Sequence, residues 1–213
     1  MIKYILFDLD DTLYSTSLGM MQEISQRMSE YMVTRLDIPR DDVDRQRKDY
    51  WARHGTTLRG LYIERQIDPQ DFLAFVHDVD IQKYLQSDAR LDAMLAQLPQ
   101  TKSIFTNAPA DYARRVLSAL GVEKYFQNIF DINFFNYESK PNQLAYDRVV
   151  TALPVPANEC LMIDDTARNL VPAKKLGMQT AWLRVTEDRY GNDGHAAADF
   201  VIASIYDVAR LVG

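Results

Sequence analysis

The chain alternates between short apolar runs and longer stretches in which apolar residues recur at helical spacing. Five runs have strand length: Ile2 to Phe7, Ser103 to Phe105, Cys160 to Ile163, Thr180 to Leu183 and Phe200 to Ile202. The stretch Ile129 to Phe135 is a weaker sixth candidate. Apolar runs without in-and-out alternation are typical of strands buried on both faces of a sheet.

Helical patterns separate these runs, and two of them end at a glycine that can close a helix. They cover Tyr112 to Leu120, Tyr146 to Leu153, Ala167 to Leu176 and Ile205 to Leu211. Strands that alternate with helices predict an α/β fold, namely a doubly wound parallel sheet with helices on both faces. The stretch from Glu187 to Asp199, rich in Gly, Ala and Asp, is interpreted as one surface loop.

The segment between the first two strands is far longer than the dozen or so residues that a crossover needs. It contains no convincing strand, and its apolar residues lie at helical spacing, beginning with Met20, Ile24 and Met28. Asp68 and Pro69 form a cap and first-turn pair for a further helix. We therefore predict an inserted α-helical subdomain over residues 15–87, with a core formed by residues 1–14 and 88–213.

Composition and charge narrow the class of protein. The 213 residues are 47% hydrophobic and 25% charged, with a net charge of −6, which argues against nucleic-acid binding. The single cysteine, Cys160, suits a reducing compartment. The N-terminus does not resemble a signal peptide, and no apolar stretch approaches the length of a membrane span. We expect a cytoplasmic protein with no membrane partner.

Polar side chains follow directly after three of the predicted strands. They are Asp8, Asp10, Asp11 and Thr12 after the first, Thr106 and Asn107 after the second, and Asp164, Asp165 and Thr166 after Ile163. Lys140 precedes the helix that contains Tyr146. Because ligands of open parallel sheets bind beyond the carboxyl ends of the strands, we expect these groups to converge.

Such a group of carboxylates requires a cation, and oxygen ligands without a nearby His or Cys favour Mg²⁺. The three histidines, His54, His77 and His195, are scattered along the chain, which argues against zinc. A lysine with hydroxyl and amide donors beside Mg²⁺ predicts a phosphate site. An aspartate that faces phosphate, with a second one two residues later, suits covalent catalysis through an aspartyl-phosphate.

The motifs DLDDT, FTN, SKP and MIDDTARN, in this order, resemble the four motifs of the haloacid dehalogenase-like superfamily. The helical insert is similar to the C1 cap of this superfamily. The stretches HGTTLRGL, IDPQDFLAFVHD and KPNQLAYDRV further resemble the pyrimidine 5'-nucleotidase branch.

This resemblance implies a role for each matching residue. Asp8 would be the nucleophile and a Mg²⁺ ligand. Asp10 would be the general acid and base and would offer its backbone carbonyl to Mg²⁺. Thr106, Asn107 and Lys140 would bind the phosphoryl group, and Asp165 and Asp164 would complete the metal site. Where many members carry an aspartate, this chain has Asn169.

Other residues near these motifs have a functional and a structural interpretation. Trp51, His54 and Arg59 surround the HGTTLRG stretch and are candidate substrate contacts, with packing or a solvated face as the alternative. Asp11 is interpreted as a turn residue and His77 as a packing histidine at a helix end.

The resulting hypothesis is a Mg²⁺-dependent phosphatase that acts on pyrimidine nucleoside 5'-monophosphates. The alternatives are a sugar-phosphate or broad-range phosphatase, a 2-haloacid dehalogenase and a non-enzymatic phospho-receiver domain. A dehalogenase needs neither Asp10 nor the metal carboxylates. In a receiver domain the phosphorylated aspartate lies later in the chain, and no cap is needed.

Overall fold

The computed structural model describes residues 1–184 and 198–212. Within these ranges six strands form one parallel sheet in the order β3-β2-β1-β4-β5-β6. The strands are β1 (Tyr4–Phe7), β2 (Thr101–Phe105), β3 (Phe126–Phe130), β4 (Cys160–Asp164), β5 (Gln179–Leu183) and β6 (Phe200–Ile202). The direction of winding reverses between β1 and β4, which is where doubly wound sheets bind their ligands.

The first strand of the chain lies in the middle of the sheet. Tyr4 pairs with Thr101 on one side and with Cys160 on the other. Ile5 and Phe7 belong to one apolar cluster, whereas the alternate residues of β1 belong to a second cluster. Both faces of β1 are therefore buried, and the predicted doubly wound parallel sheet is confirmed.

The α-helices of the described ranges fall into two groups. Four lie within residues 15–87: α1 (Met20–Leu36), α2 (Arg40–His54), α3 (Thr57–Arg65) and α4 (Pro69–Val76). The others are α5 (Ala89–Gln97), α6 (Ala110–Leu120), α7 (Gln143–Ala152), α8 (Ala167–Lys175) and α9 (Ala209–Val212). The Asp68 side chain accepts a hydrogen bond from the backbone of Gln70 at the start of α4, as its predicted capping role requires.

We call residues 15–87 the helical segment. Its second and third helices approach so closely that a Cβ on Gly60 would lie 2.3 Å from Cγ of Tyr50. Gly55, which joins them, has a φ of +90°, and a Cβ there would lie 3.3 Å from the carbonyl oxygen of Lys140. Glycine is required at both positions for these close approaches. The turn between α2 and α3 therefore packs directly on the chain around Lys140.

The weaker strand prediction, Ile129 to Phe135, was wrong in its position. The strand ends at Phe130, and Asp131 then accepts hydrogen bonds from the backbone N–H groups of Ala110 and Phe134. This aspartate organises a turn, which prevents the apolar residues after it from extending the strand. Most of the loop predicted from Glu187 to Asp199 lies outside the described residues. None of the described helices has the length and apolar character needed to cross a bilayer.

Candidate active site

Asp8 lies immediately after β1, at the carboxyl edge of the sheet. Its backbone N–H donates to the carbonyl oxygen of Ile163 in β4, which continues the pairing of the two strands. Thr12 Oγ1 donates to Asp8 Oδ2 over 3.1 Å and accepts from the backbone N–H of Asp165 over 3.2 Å. Thr12 thus connects the ends of β1 and β4, a role that its position in the sequence did not reveal.

Lys140 lies between two carboxylates at the centre of the site. Its Nζ is 2.7 Å from Asp8 Oδ1 and 2.7 Å from Asp164 Oδ2, and its side chain is only 1% exposed. The neighbouring charges of Asp164 and Asp8 outweigh the effect of burial and raise the pKa of Lys140. The lysine is therefore charged, and two carboxylates take two of the three hydrogens on Nζ.

Three carboxylates form a cluster that could hold a metal ion. Oxygen atoms of Asp8, Asp164 and Asp165 all lie within 4.8 Å of one another. Asn169 donates through Nδ2 to both oxygens of Asp164, at 3.0 and 3.2 Å, a contact that an ionised aspartate at this position would not make. Asp8 and Asp164 are buried and Asp165 is partly exposed. Because every side chain of this cluster offers oxygen, the donor set fits a hard divalent cation.

Burial shapes the acidity of this cluster. Burial raises the pKa of Asp8 to about 7, with the charge of Asp164 adding to the rise and Lys140 opposing it. Burial and the charges of Asp164 and Asp8 likewise hold the pKa of Asp165 well above its ordinary value. With all three carboxylates ionised, the site would carry more negative charge than its lysine offsets, and a bound cation would relieve this repulsion.

The end of β2 meets the lysine-bearing loop. The Asn107 side chain accepts from the backbone N–H of Lys140 over 2.8 Å and donates to the carbonyl oxygen of the same residue over 3.2 Å. Thr106 is buried, and its Oγ1 accepts from the backbone N–H of Ala108. The Asn107 side chain thus fixes the backbone of Lys140. The resemblance led us to expect it to bind phosphate instead.

Asp10 is held by two tyrosines that the sequence analysis did not assign to the site. The hydroxyl groups of Tyr14 and Tyr112 both donate to Asp10 Oδ1, at 2.5 and 2.9 Å. Burial raises the pKa of Asp10, and these two hydrogen bonds partly oppose the rise. In the sequence Tyr112 is only the first position of the helical pattern that ends at Leu120, and its polar tip gives no signal in a periodicity pattern.

The three predicted substrate contacts of the helical segment all have protein partners. His54 Nε2 is 2.7 Å from Glu64 Oε1, and the two terminal nitrogens of Arg59 contact the carbonyl oxygen of Tyr137 and the carboxylate of Glu138. The Trp51 ring lies under the guanidinium of Arg168, whose Cζ is 3.2 Å from the ring centroid. Arg168 also donates to the carbonyl oxygens of Trp51 and Gly55.

Two further residues have the conformations that their interpretations require. Asp11 has a φ of +60°, a value that aspartate tolerates in turns. His77 is buried at the end of α4, where Nδ1 lies 2.9 Å from the carbonyl oxygen of Leu73 and the ring packs against Tyr112. Burial lowers the pKa of His77 to about 4, which makes it a neutral packing residue at ordinary pH.

Comparison with known proteins assigns the chain to a family. Residues 2–177 match the family model of the haloacid dehalogenase-like hydrolases. The match covers most of the chain, including all the strand-end residues described above. The chain therefore belongs to the haloacid dehalogenase-like hydrolases, with a Rossmann-like α/β core.

Individual relatives are more distant. The chain is 27% identical over 192 residues to phosphate metabolism protein 8 of Saccharomyces cerevisiae, covering 83% of this chain but only 60% of the yeast protein. It is 25% identical to phosphoglycolate phosphatase of Vibrio parahaemolyticus over 99% of this chain and 96% of that protein.

Solved structures share the fold. A HAD phosphatase from Thermococcus onnurineus superposes with a TM-score of 0.67 at 22% identity, covering 100% of this chain and 98% of the other. An L-2-haloacid dehalogenase from Xanthobacter autotrophicus gives 0.61 at 18% identity, with the same coverage. Because both phosphatases and dehalogenases share this fold, the reaction must be argued from the site itself.

Proposed function

We propose that the protein is a Mg²⁺-dependent phosphomonoesterase that works through an aspartyl-phosphate on Asp8. The observation that carries this proposal is the gathering of Asp8, Asp164, Asp165 and Lys140 at the carboxyl ends of β1 and β4. A dehalogenase would need neither the surplus carboxylates nor Asp10, so this gathering favours a phosphatase. The name of the phosphoglycolate phosphatase relative supports the same class.

The residues divide the chemistry between them. Asp8 attacks phosphorus, and the bond to the leaving oxygen breaks while Asp10 supplies a proton to that oxygen. Water then attacks the phosphoryl group on Asp8, Asp10 takes back a proton, and phosphate leaves. Lys140, together with Thr106, stabilises the charge on the phosphoryl oxygens.

The metal would be held by Asp8, Asp164 and Asp165, with the backbone carbonyl of Asp10 as a further ligand. Asp164 already accepts hydrogen bonds from Lys140, Asn169 and the backbone of Thr166. We therefore infer that Asp165 is the main acidic ligand of this pair. When bound, Mg²⁺ would offset the negative charge of the phosphoryl group and of the carboxylates around it.

We propose further that the helical segment acts as a cap and selects the leaving group. The turn between α2 and α3 packs on the chain around Lys140, so it borders the site where the leaving group would lie. Closing such an element over the substrate excludes water and adds contacts to the alcohol. The likeness of HGTTLRGL to the pyrimidine 5'-nucleotidase branch supports UMP and CMP as preferred substrates, with Trp51, His54 and Arg59 shaping the opening.

A phosphate-release assay tests this function directly. The panel contains UMP, CMP, AMP, GMP, phosphoglycolate, sugar phosphates and p-nitrophenyl phosphate, with 2-chloropropionate to detect dehalogenation. We expect phosphate release that requires Mg²⁺ and is lost in EDTA, with a higher kcat/KM for the pyrimidine nucleotides. Asp8→Asn should lower turnover by at least about 10⁴-fold, while the circular dichroism spectrum of the variant stays the same as that of the wild type.

The possible failures of this experiment are separable. Full activity in excess EDTA would reject the metal, and chloride release from 2-chloropropionate without phosphate release would reject the phosphatase. A preference for phosphoglycolate or a sugar phosphate over both pyrimidine nucleotides would reject only the substrate class.

A further inference from the structure

Asp10 has an asymmetric set of hydrogen bonds. Both tyrosine hydroxyls donate to the same oxygen, Oδ1, and the two hydroxyl oxygens lie 3.3 Å from each other. A phenol has one hydrogen to donate, so each tyrosine directs its hydrogen to Oδ1. Among the residues that the structure describes, none donates to Oδ2. One oxygen of the carboxyl group is therefore fixed by protein and the other is open to a reaction partner.

The two tyrosines come from different elements, and both are buried. Tyr14 lies four residues after Asp10, in the turns that follow β1. Tyr112 lies in the first turn of α6, with its ring 4.7 Å from the ring of His77 at the end of α4. Arg115, one turn further along α6, donates to the carbonyl oxygens of His77 and Val79. The Tyr112 hydroxyl is thus held in place by packing of α6 against the chain that follows α4.

This arrangement suits a group that must alternate between acid and base. Oδ1 can accept both hydrogen bonds when the carboxyl group is ionised, and also when it is neutral with its proton on Oδ2. Neither tyrosine needs to move when the proton is gained or lost. Protonation of Oδ1, in contrast, would compete with the two donors that already point at it.

We propose that Tyr14 and Tyr112 are positioning residues that hold Asp10 through Oδ1, so that Oδ2 is the oxygen that carries the transferred proton. This inference rests on the proposed function, because it presupposes that Asp10 acts as acid and base. In the first step Oδ2 gives its proton to the leaving oxygen as the bond from that oxygen to phosphorus breaks. In the second step Oδ2 takes a proton from the water that forms the new bond to phosphorus, and Asp8 is released as a carboxylate.

The test uses Tyr14→Phe, Tyr112→Phe and the double variant, which remove the hydrogen bonds and keep the rings. With p-nitrophenyl phosphate the leaving group needs little protonation, so the first step should stay within about threefold of wild type. Hydrolysis of the aspartyl-phosphate needs Asp10 as base, so steady-state turnover should fall about tenfold for each single variant and about 10²-fold for the double variant. Rapid-quench measurement should show a burst of p-nitrophenol and accumulation of phosphoenzyme.

An alkyl phosphate provides the second readout, because both of its steps need Asp10. With this substrate the formation of phosphoenzyme should itself slow by the same factors. The matched control is Tyr31→Phe, which removes a tyrosine hydroxyl that donates to Asp71 within the helical segment. This control should leave both steps unchanged.

Two results would overturn the proposal. Loss of the burst and of turnover by the same factor would show that the tyrosines only maintain the fold, and unchanged kinetics would show that Asp10 needs no such support. If the double variant does not fold, the two single variants still separate the steps. A wild-type protein that releases no p-nitrophenol and forms no phosphoenzyme would instead reject the proposed function.

Discussion

The ends of β1 and β4 and the turn between α2 and α3 border the same site but are built differently. At the strand ends, Asp8, Lys140 and Asp164 are buried and joined by contacts of 2.7 Å. In the turn, His54 and Arg59 pair with Glu64 and Glu138, whose side chains are 33% and 19% exposed. Removing one partner of a buried, hydrogen-bonded ion pair has a large effect, whereas removing one partner of a partly exposed ion pair has a small one.

This difference suggests a division of labour. In the proposed function, the strand ends hold the groups that act on every phosphate ester, in positions that do not depend on the alcohol. Next to the turn, Arg59 connects the helical segment to the core through Tyr137 and Glu138, whereas His54 pairs with Glu64 inside the segment. Changes at these side chains would alter the fit of a particular leaving group. The following predictions test the comparison, beginning with the largest effect.

Removing the ammonium group of Lys140 should have the largest effect on turnover. Lys140→Ala should lower kcat by about 10²–10³-fold on every substrate, as is typical when one charge-stabilising donor is removed. Lys140→Arg should not restore activity, because the guanidinium is larger and planar. Lys102→Met is the matched control: Lys102 is also buried but donates to the carbonyl oxygens of Leu98 and Gln100. It should affect stability and not turnover, and near-wild-type turnover of Lys140→Ala would contradict the comparison.

Metal binding should stabilise the cluster in a pH-dependent way. The pKa of Asp8 is raised from 3.8 to about 7, and that of Asp165 is raised as well. At these two carboxyl groups the metal-free folded chain keeps protons that the unfolded chain loses, so their contribution to stability falls as the pH rises from about 4 to 7. Mg²⁺ needs the ionised carboxylates, so the Mg²⁺-induced rise in Tm should be larger at pH 8 than at pH 5.

Thermal unfolding with and without Mg²⁺ at both values measures this difference. A difference of about 1 kcal/mol in the free energy of unfolding would shift Tm by roughly 2–4 °C for a protein of this size. Asp165→Asn should reduce the effect, and equal shifts at the two pH values would place the metal away from these carboxylates.

Substitutions in the turn should have the smallest effects and the most selective ones. Arg59→Ala and His54→Ala should change the ratio of kcat/KM for UMP and AMP by about fivefold, which corresponds to about 1 kcal/mol. They should change p-nitrophenyl phosphate hydrolysis by less than about twofold, because its leaving group needs fewer contacts. Arg45→Ala, which removes an exposed ion pair with Asp42 on α2, is the control. Equal losses on all substrates would mean that the turn supports the core and does not select the substrate.

Features with a local signal could be predicted from the sequence, and features that depend on packing could not. The apolar runs predicted the central strands, and the polar residues that follow them predicted Asp8 and Asp164 as neighbours, because parallel strands bring their carboxyl ends to one edge. Lys140 was expected to join them from its place ahead of the helix that contains Tyr146. The third strand was misplaced because the turn at Asp131 depends on Ala110, which is distant in the sequence.

The partners of the site residues were harder to predict for the same reason. Tyr112 has the spacing of a core residue, and only the arrangement of α6 against the end of β1 brings its hydroxyl to Asp10. Similarly, nothing near Trp51 in the sequence indicates that Arg168 would lie over its ring.

The central position of β1 has a consequence for the order in which the chain can fold. Tyr4 is synthesised first, but its partners Thr101 and Cys160 follow much later. The contacts of α1 to α4 with one another are closer in sequence, so the helical segment can form while β1 still lacks neighbours. An apolar strand that waits for its partners is prone to associate with other chains. While Cys160 is not yet synthesised, the nascent chain therefore exposes an aggregation-prone apolar strand. This protein should depend more on chaperones during synthesis than during refolding of the complete chain.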